Sequence, residues 1–377
     1  MGALTMAVAA VAWAGTLGDV LGGAAPGILG DAVAGAAMGV AAGVLAVAVT
    51  GAGGYLGREV VRALLRRGHR VRALLRGGEA PGGAEAHRLD LAVDPIGPAL
   101  AGCDAVVHAA GALTGDEAVM ARDTVEATRR LVAAAREEGV RRLVLASSVA
   151  VYGADRPGET VAEDSALEPL PRGRDAYARA KLAQEGIVRE AGLPEAWLLR
   201  IGHLWGPGRM EGAPLGPRLG PRTWPVRLSV AAGPLPLAHV AHAGLACALA
   251  CETPVRGPER APVGAPGGAP GEVEAVNVLD ADLPDAQRWL RATREPALFL
   301  PWQALDVAAG FFEAAPDAGA GGGWGAPQGV GRRLPHLLRR PALRARMMPR
   351  AWPVDRLRER LGWAPLGTFE EMARWQA

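Results

Sequence analysis

Tyr177 and Lys181 stand four residues apart in YARAK, the spacing that puts two side chains on one face of a helix. There the ammonium favours the phenolate, lowers the tyrosine pKa toward neutrality and makes the phenol a general acid and base. The bland reading is an exposed helix pair. Composition sharpens the contrast, because Lys181 is the only lysine, 40 of the 41 basic residues being arginine, and Tyr177 is one of 3 tyrosines. Ser147-Ser148 follow the apolar run RLVLA. A hydroxyl at that strand end can hydrogen-bond a reacting carbonyl or alkoxide, and Ser148 is the residue chosen for this; a turn-forming serine is the alternative. Gly51, Gly54 and Gly57 lie in VTGAGGYLG. A dinucleotide pyrophosphate needs a tight turn, a backbone without Cβ, and a helix N-terminus aimed at its charge. Among 52 glycines the pattern alone is weak, and its position between a strand and a helix is what raises it.

The cofactor choice rests on the second strand, which ends Leu74-Leu75-Arg76. A carboxylate there would take the ribose hydroxyls of NAD, whereas an arginine pairs with the 2′-phosphate of NADP. Leu75 holds the acidic position and Arg76 follows, so NADP is expected, with NAD the alternative and a plain surface arginine the bland reading. Asp90 either accepts from the adenine amino group or caps a turn.

Elements that alternate in type must position these residues. Val44–Thr50 reads as a buried parallel strand, Leu56–Arg67 as a helix closed by Gly68, and Arg70–Leu75 as a second strand. A third strand ends at Asp90-Leu91, and Asp104–Ala110 forms a fourth. Asp123–Glu138 is a helix stopped by Gly139, and Arg142–Ser147 is a fifth strand. Alternation with short connections means βαβ units and a doubly wound parallel sheet. Beyond Gly206 the chain turns Pro- and Gly-rich, with a helix over His239–Cys251 and a strand over Ala275–Leu279. The expected organisation is an Ala/Gly-rich extension over 1–43, a nucleotide-binding domain over 44–205, and a smaller, loop-rich substrate lobe over 206–377 that returns some elements to the sheet.

Composition excludes several classes. The 377 residues are 50% hydrophobic and 21% charged, with mean hydropathy +0.12, as in folded soluble chains rather than disordered ones. A net charge of +2 argues against a strongly electropositive nucleic-acid protein. Cys103, Cys247 and Cys251 are too few for a disulfide framework or a zinc site, so no metal and a reducing cytoplasm are expected. Residues 1–43 carry only Asp19 and Asp31, and no basic residue precedes Arg58. A signal peptide is therefore not expected, and the segment is a weakly ordered extension or, less favoured, a membrane anchor.

The matching pieces resemble an extended short-chain dehydrogenase/reductase of the NAD-dependent epimerase/dehydratase group, 3β-hydroxysteroid dehydrogenase-like branch. They are TGAGGYLG (50–57), Asp90-Leu91, HAAG (108–111), TVEATRRL (124–131), SSVAVYG (147–153), YARAK (177–181), LRIGHLWGPG (199–208), LAHVAHAGLACAL (237–249) and LGWAP (361–365). The resemblance implies a Rossmann fold and a Ser148/Tyr177/Lys181 triad. It implies cofactor contacts at Gly51, Gly54, Tyr55, Leu56, Gly57, Asp90, Leu91, Ala109, Ala110, Tyr177 and Lys181, beside Arg76. It also implies a small-molecule substrate, and dimers are common in the family.

Departures choose among branches. Val149-Ala150 stand where dehydratases of the family carry an Asp-Glu pair, so sugar dehydration lacks its second acid and base. Ile201-Gly202-His203 offer no asparagine for a sugar diphosphate, and Thr124 replaces the asparagine that usually opens the central helix. The expected function is hydride transfer between nicotinamide and a secondary alcohol or ketone. The alternatives are a nucleotide-sugar 4-epimerase, clamped by Arg209, Arg218 or Arg222, and a non-catalytic NADP-binding sensor. Leu298–Phe312, with Pro301, Trp302, Phe311 and Phe312, either lines an apolar pocket or is helix core. Arg332–Arg350 is a solvated face or a lipid contact, His203 an extra acid/base or structural, and Cys247 and Cys251 are expected to be buried.

Overall fold

Five apolar residues of the first helix, Leu56, Val60, Val61, Ala63 and Leu64, recur at helical spacing and are all buried. They press this helix, α1 (Tyr55–Arg66), onto strand β1 (Ala46–Thr50), and Gly68, at φ 83°, ends it in the left-handed conformation. The computed structural model describes residues 43–113, 116–153, 157–169, 174–210, 218–219, 226–230, 233–256, 259–260, 271–294, 296–314 and 340–375. The extension expected over 1–43 lies outside them up to residue 42, as do Arg222 and the 332–339 part of the basic stretch; of Phe311 and Phe312 only the backbone is described.

Strands β2 (Arg70–Leu75) and β3 (Glu85–Arg88) follow, then the short helix α2 (Gly97–Leu100) and β4 (Ala105–His108). Helix α3 (Glu117–Met120) runs through a π turn (Ala121–Glu126) into α4 (Ala127–Glu137). Next come β5 (Arg142–Ser148), α5 (Ala176–Arg189), β6 (Glu195–Ile201), β7 (His203–Trp205), β8 (Arg218–Leu219), β9 (Val226–Val230) and β10 (Leu237–His239). Helix α6 (Val240–Glu252), β11 (Glu259–Arg260), β12 (Glu272–Val278), α7 (Ala286–Thr293), β13 (Ala297–Leu300), α8 (Trp302–Ala314), α9 (Arg340–Met347), α10 (Asp355–Leu361) and α11 (Phe369–Arg374) complete the chain.

The main sheet has the order β11-β12-β6-β5-β4-β1-β2-β3 and is parallel except for β11. Alternate side chains on each strand feed two cores. Val47, Val49, Val144 and Leu199 meet α1, α6 and α10 on one face. Ala48, Val106, Leu143 and Leu198 meet α2, α4 and α5 on the other. This is the doubly wound, Rossmann-type arrangement expected. The strand order reverses at β1, between β2 and β4, which opens a crevice at the carboxyl edge. Strand β12, from the second half of the chain, extends the sheet in register with β6, while β8, β9 and β13 form a separate small sheet.

Several boundaries differ from expectation: β4 is shorter than Asp104–Ala110, β12 starts at Glu272 rather than Ala275, and two further differences have a side-chain cause. Strand β3 stops at Arg88, because Asp90 turns the chain: its carbonyl accepts from Val93 and Asp94 N–H, and its carboxylate accepts from Ala92 N–H at 2.9 Å. The helix expected from Asp123 begins earlier, at Glu117, where Asp116 accepts from Val119 N–H at 3.0 Å. The stretch Leu298–Phe312 divides between β13 and α8, with Trp302 buried.

Candidate active site

Gly51 carries φ 65°, a conformation that L side chains rarely adopt, and a Cβ there would lie 2.9 Å from the Ala110 backbone. Gly57 is held still tighter, since a Cβ on it would reach 2.1 Å from the Gly51 carbonyl oxygen. Bare backbone at both positions lets the turn after β1 close on the tip of β4 and exposes the start of α1. Here a cleft of about 300 Å³ opens, lined by Gly51, Gly54, Arg76, Asp90, Leu91, Ala109 and Ala110 among the expected residues. Leu75, at the expected cofactor-selecting position, lines it as well, as do Gly53 and Asp123, which carried no expectation of a site role. An unobstructed glycine turn, an uncapped helix start and a cleft at the strand-order reversal fit an adenine dinucleotide.

Five expected cofactor residues do not line the cleft, Tyr177 and Lys181 among them. Leu56 is core, Gly57 serves the turn itself, and Tyr55 packs its ring under the Arg209 guanidinium, 4.5 Å from the ring centroid. Burial pushes the Tyr55 phenol up to about 12. Arg76 is 63% exposed at the rim and donates to Asp123 Oδ2 at 3.0 Å. Arg122 bridges Asp123 and Asp90, so Asp90 performs the turn-capping role and also holds an arginine.

Ser148 ends β5, the strand beside β4, so it reaches the same sheet edge as Ala109-Ala110. Strand alternation separates the two serines. Ser147 points into the core and donates to Glu185 Oε1 at 2.6 Å, while Ser148 accepts from Ala150 N–H at 3.2 Å and lies near enough to the Tyr177 phenol to favour its ionised form. Helix α5 starts at the Asp175 cap, whose carboxylate accepts from Ala178 N–H at 2.8 Å; this puts Tyr177 in its first turn and Lys181 one turn on. The structure therefore brings Ser148, Tyr177 and Lys181 together, the Lys181 ammonium lying 5.8 Å from the Tyr177 ring centroid.

The electrostatics correct one expectation. The Tyr177 pKa is raised, not lowered: burial of the phenol outweighs the favourable pull of the Ser148 hydroxyl, and the Asp175 carboxylate adds to the rise. Lys181 is itself buried, and its ammonium donates to the Ala146 carbonyl at 2.7 Å. Burial brings Lys181 down from 10.5 to about 8, opposed by nearby Glu185.

Two buried networks behind the triad escaped sequence reasoning. Arg200 grips both oxygens of Glu185, at 3.0 and 2.9 Å, and donates to the Tyr152 hydroxyl at 2.9 Å; that hydroxyl donates to Asn277 Oδ1 at 2.6 Å. This ties α5, β6 and β12 behind Ser147. The second joins His108 to Thr50 Oγ1 at 2.8 Å and to Thr128 Oγ1 at 2.9 Å, with Gln184 donating to Thr128 at 2.7 Å. Burial first, then Lys181, pushes His108 down to about 3, so the imidazole is neutral. The signal for the first network was present, because Asn277 is the sole asparagine of the chain. Cys247 and Cys251 are buried as expected, and Cys103 is buried too; all three are free. Among the described residues no cluster could hold a metal ion, and no helix is long and apolar enough to cross a membrane.

Residues 47–218 match the model of the NAD dependent epimerase/dehydratase family. Among curated relatives, a 4-hydroxy-2-methyl-3-oxo-4-farnesyl-3,4-dihydroquinoline-1-oxide ketoreductase of Stigmatella aurantiaca is 37% identical over 174 residues, 42% of this chain and 50% of that protein. Cinnamoyl-CoA reductase 1 of Petunia hybrida is 34% identical over 132 residues, 31% of this chain and 40% of the relative. The chain thus spans half or less of the length of these relatives. Among solved structures, MoeE5 in complex with UDP-glucuronic acid and NAD superposes with a TM-score of 0.61 at 19% identity, covering 88% of this chain and 97% of that one. At that identity the likeness is one of fold.

Proposed function

With residues 47–218 carrying the NAD dependent epimerase/dehydratase family segment, we propose that the chain is an NADP-dependent reductase acting on a ketone, or in reverse on a secondary alcohol. The observation that carries this reading is the placing of Tyr177 and Lys181 one helical turn apart, the ammonium 5.8 Å from the ring centroid, beside Ser148 at the strand end on the edge where the glycine turn opens. The named reductases among its relatives support it, as does Val149-Ala150 in place of the second acid and base of a dehydratase.

In this reading Gly51 and Gly54 give the cofactor diphosphate close access to the start of α1, and Arg76 meets the 2′-phosphate. The nicotinamide supplies or accepts the hydride when the cofactor is bound. Ser148 donates a hydrogen bond to the substrate carbonyl oxygen and holds it against Tyr177. As the carbon is reduced, the Tyr177 hydroxyl gives its proton to the developing alkoxide, and the phenolate left behind is stabilised by the Lys181 ammonium. The raised pKa suits this direction, because the phenol remains a loaded proton donor at neutral pH. Asp90, Leu91, Ala109 and Ala110 wall the adenosine half, and residues 206–377 form the substrate lobe. Trp302 and the β13–α8 segment would give that lobe an apolar side, as in a 3β-hydroxysteroid dehydrogenase-like branch.

The test is cofactor absorbance with a panel of ketones. Tyr177→Phe is expected to lower turnover by about 10²–10⁴-fold while cofactor affinity stays within a few-fold. Full turnover by that variant would sink the assignment.

A further inference from the structure

We propose that Asp123 tunes the choice between NADP and NAD by competing with the 2′-phosphate for Arg76. This rests on the cofactor reading above and concerns a residue that no cofactor motif in the chain includes. Asp123 sits in the π turn, lines the cleft and has a side chain only 14% exposed. Its Oδ2 accepts from Arg76 Nη1 at 3.0 Å, and its Oδ1 accepts from Arg122 Nη1 at 2.5 Å. Arg122 Nη2 continues to Asp90 Oδ2 at 3.0 Å. The rim is therefore a chain of alternating charge, Arg76, Asp123, Arg122 and Asp90, with no net charge.

A 2′-phosphate brings close to two negative charges to this rim. For Arg76 to meet it, the guanidinium must loosen its hold on Asp123. Arg76 is mostly exposed and can turn away at little cost, whereas Asp123 is fixed by Arg122 and by its buried setting. The carboxylate then remains beside the phosphate as a like charge. The ribose hydroxyl of NAD is neutral and pays no such penalty, and it can donate to a carboxylate oxygen. Arg76 thus pulls toward NADP while Asp123 pulls back, which brings the two cofactors closer in affinity than the arginine alone would allow.

Titration calorimetry with NADP and with NAD, on the wild-type chain, Asp123→Asn and Arg76→Ala, tests this. Asparagine keeps an oxygen for Arg76 and removes only the charge. Asp123→Asn is expected to tighten NADP by about fivefold or more, to leave NAD within about twofold, and to lose part of that gain at high salt. An unchanged or weakened preference for NADP overturns the proposal, since the carboxylate would then merely hold Arg76 in place. Failure of the underlying reading looks different: the wild-type chain would bind neither cofactor, or Arg76→Ala would leave NADP affinity untouched. Either result removes the proposal along with its ground.

Discussion

Lys181 is buried and Tyr177 half-buried, and desolvation acts on these two ionisable groups in opposite senses. It raises the phenol, which stays protonated, and lowers the ammonium, which loses its charge as pH rises through about 8. The sign for activity follows directly. In the proposed reaction the charged lysine, present below about 8, stabilises the phenolate; above it, that help is lost. A pH profile of kcat/KM for ketone reduction is expected to fall on the alkaline side near 8, and Lys181→Arg to move that limb upward, because a guanidinium stays charged. A profile flat through pH 10 would contradict this, on an ordinary lysine scale of about 10.4. Ser148 supports a separable expectation. Ser148→Ala removes the hydroxyl beside Tyr177 and the bond taken from Ala150 N–H, so it should cost about 10²–10³-fold in turnover but only about 1 kcal/mol of stability. A stability loss matching the activity loss would make the serine structural.

At the scale of elements, the glycine turn depends on contact between α1 and the end of β1 rather than on loop flexibility. Gly57 belongs to the helix, yet its Cα faces the Gly51 carbonyl, where a methyl group would sit 2.1 Å from oxygen. Gly57→Ala must push α1 off the sheet, and overpacking of this kind costs about 1–3 kcal/mol. Its melting temperature should fall and both cofactors should weaken together, since the helix start that faces the diphosphate moves. Normal affinity with normal stability would show that the approach is not needed. Helix α5 shows the complementary case. Its inward face carries Lys181, Gln184 and Glu185, a polar row that no hydrophobic periodicity reveals, and each finds its partner on a different strand or helix.

At the scale of the whole molecule, the second half of the chain is welded to the sheet rather than appended to it. His242 donates from Nδ1 to Asp280 at 2.7 Å and accepts Leu366 N–H at Nε2, joining α6, the end of β12 and the C-terminal segment. Asp280 also accepts from the Trp205 indole at 2.6 Å. At the opposite edge of the sheet, Glu252 at the end of α6 is paired with Arg67 and with His69, the latter at 2.8 Å. Despite burial these partners hold the Glu252 carboxyl down at about 2. A depressed carboxylate contributes stability that is present above its unfolded value of about 4.3 and is lost as pH falls through about 2. Glu252→Gln should therefore lower stability at neutral pH and flatten the acid limb of the unfolding curve. An acid limb identical to the wild type would locate the sensitivity elsewhere.

The order of strands and helices, the glycine turn and the Tyr177–Lys181 pair were legible in the amino-acid sequence, because each is a short-range pattern: alternation of apolar runs, a glycine spacing, one turn of helix. Boundaries slipped where a side chain rather than a period set them, as at the Asp90 turn and the Asp116 cap. What only the tertiary structure decided is the environment of each group. Burial reversed the expected direction of the Tyr177 pKa, and strand alternation assigned Ser147 to Glu185 and Ser148 to the phenol. The crossover from β4 through the π turn brought Asp123 to Arg76 across 47 residues of chain. Desolvation and ion pairing depend on what lies within a few ångströms in space, and neighbours of that kind are set by packing rather than by distance along the chain.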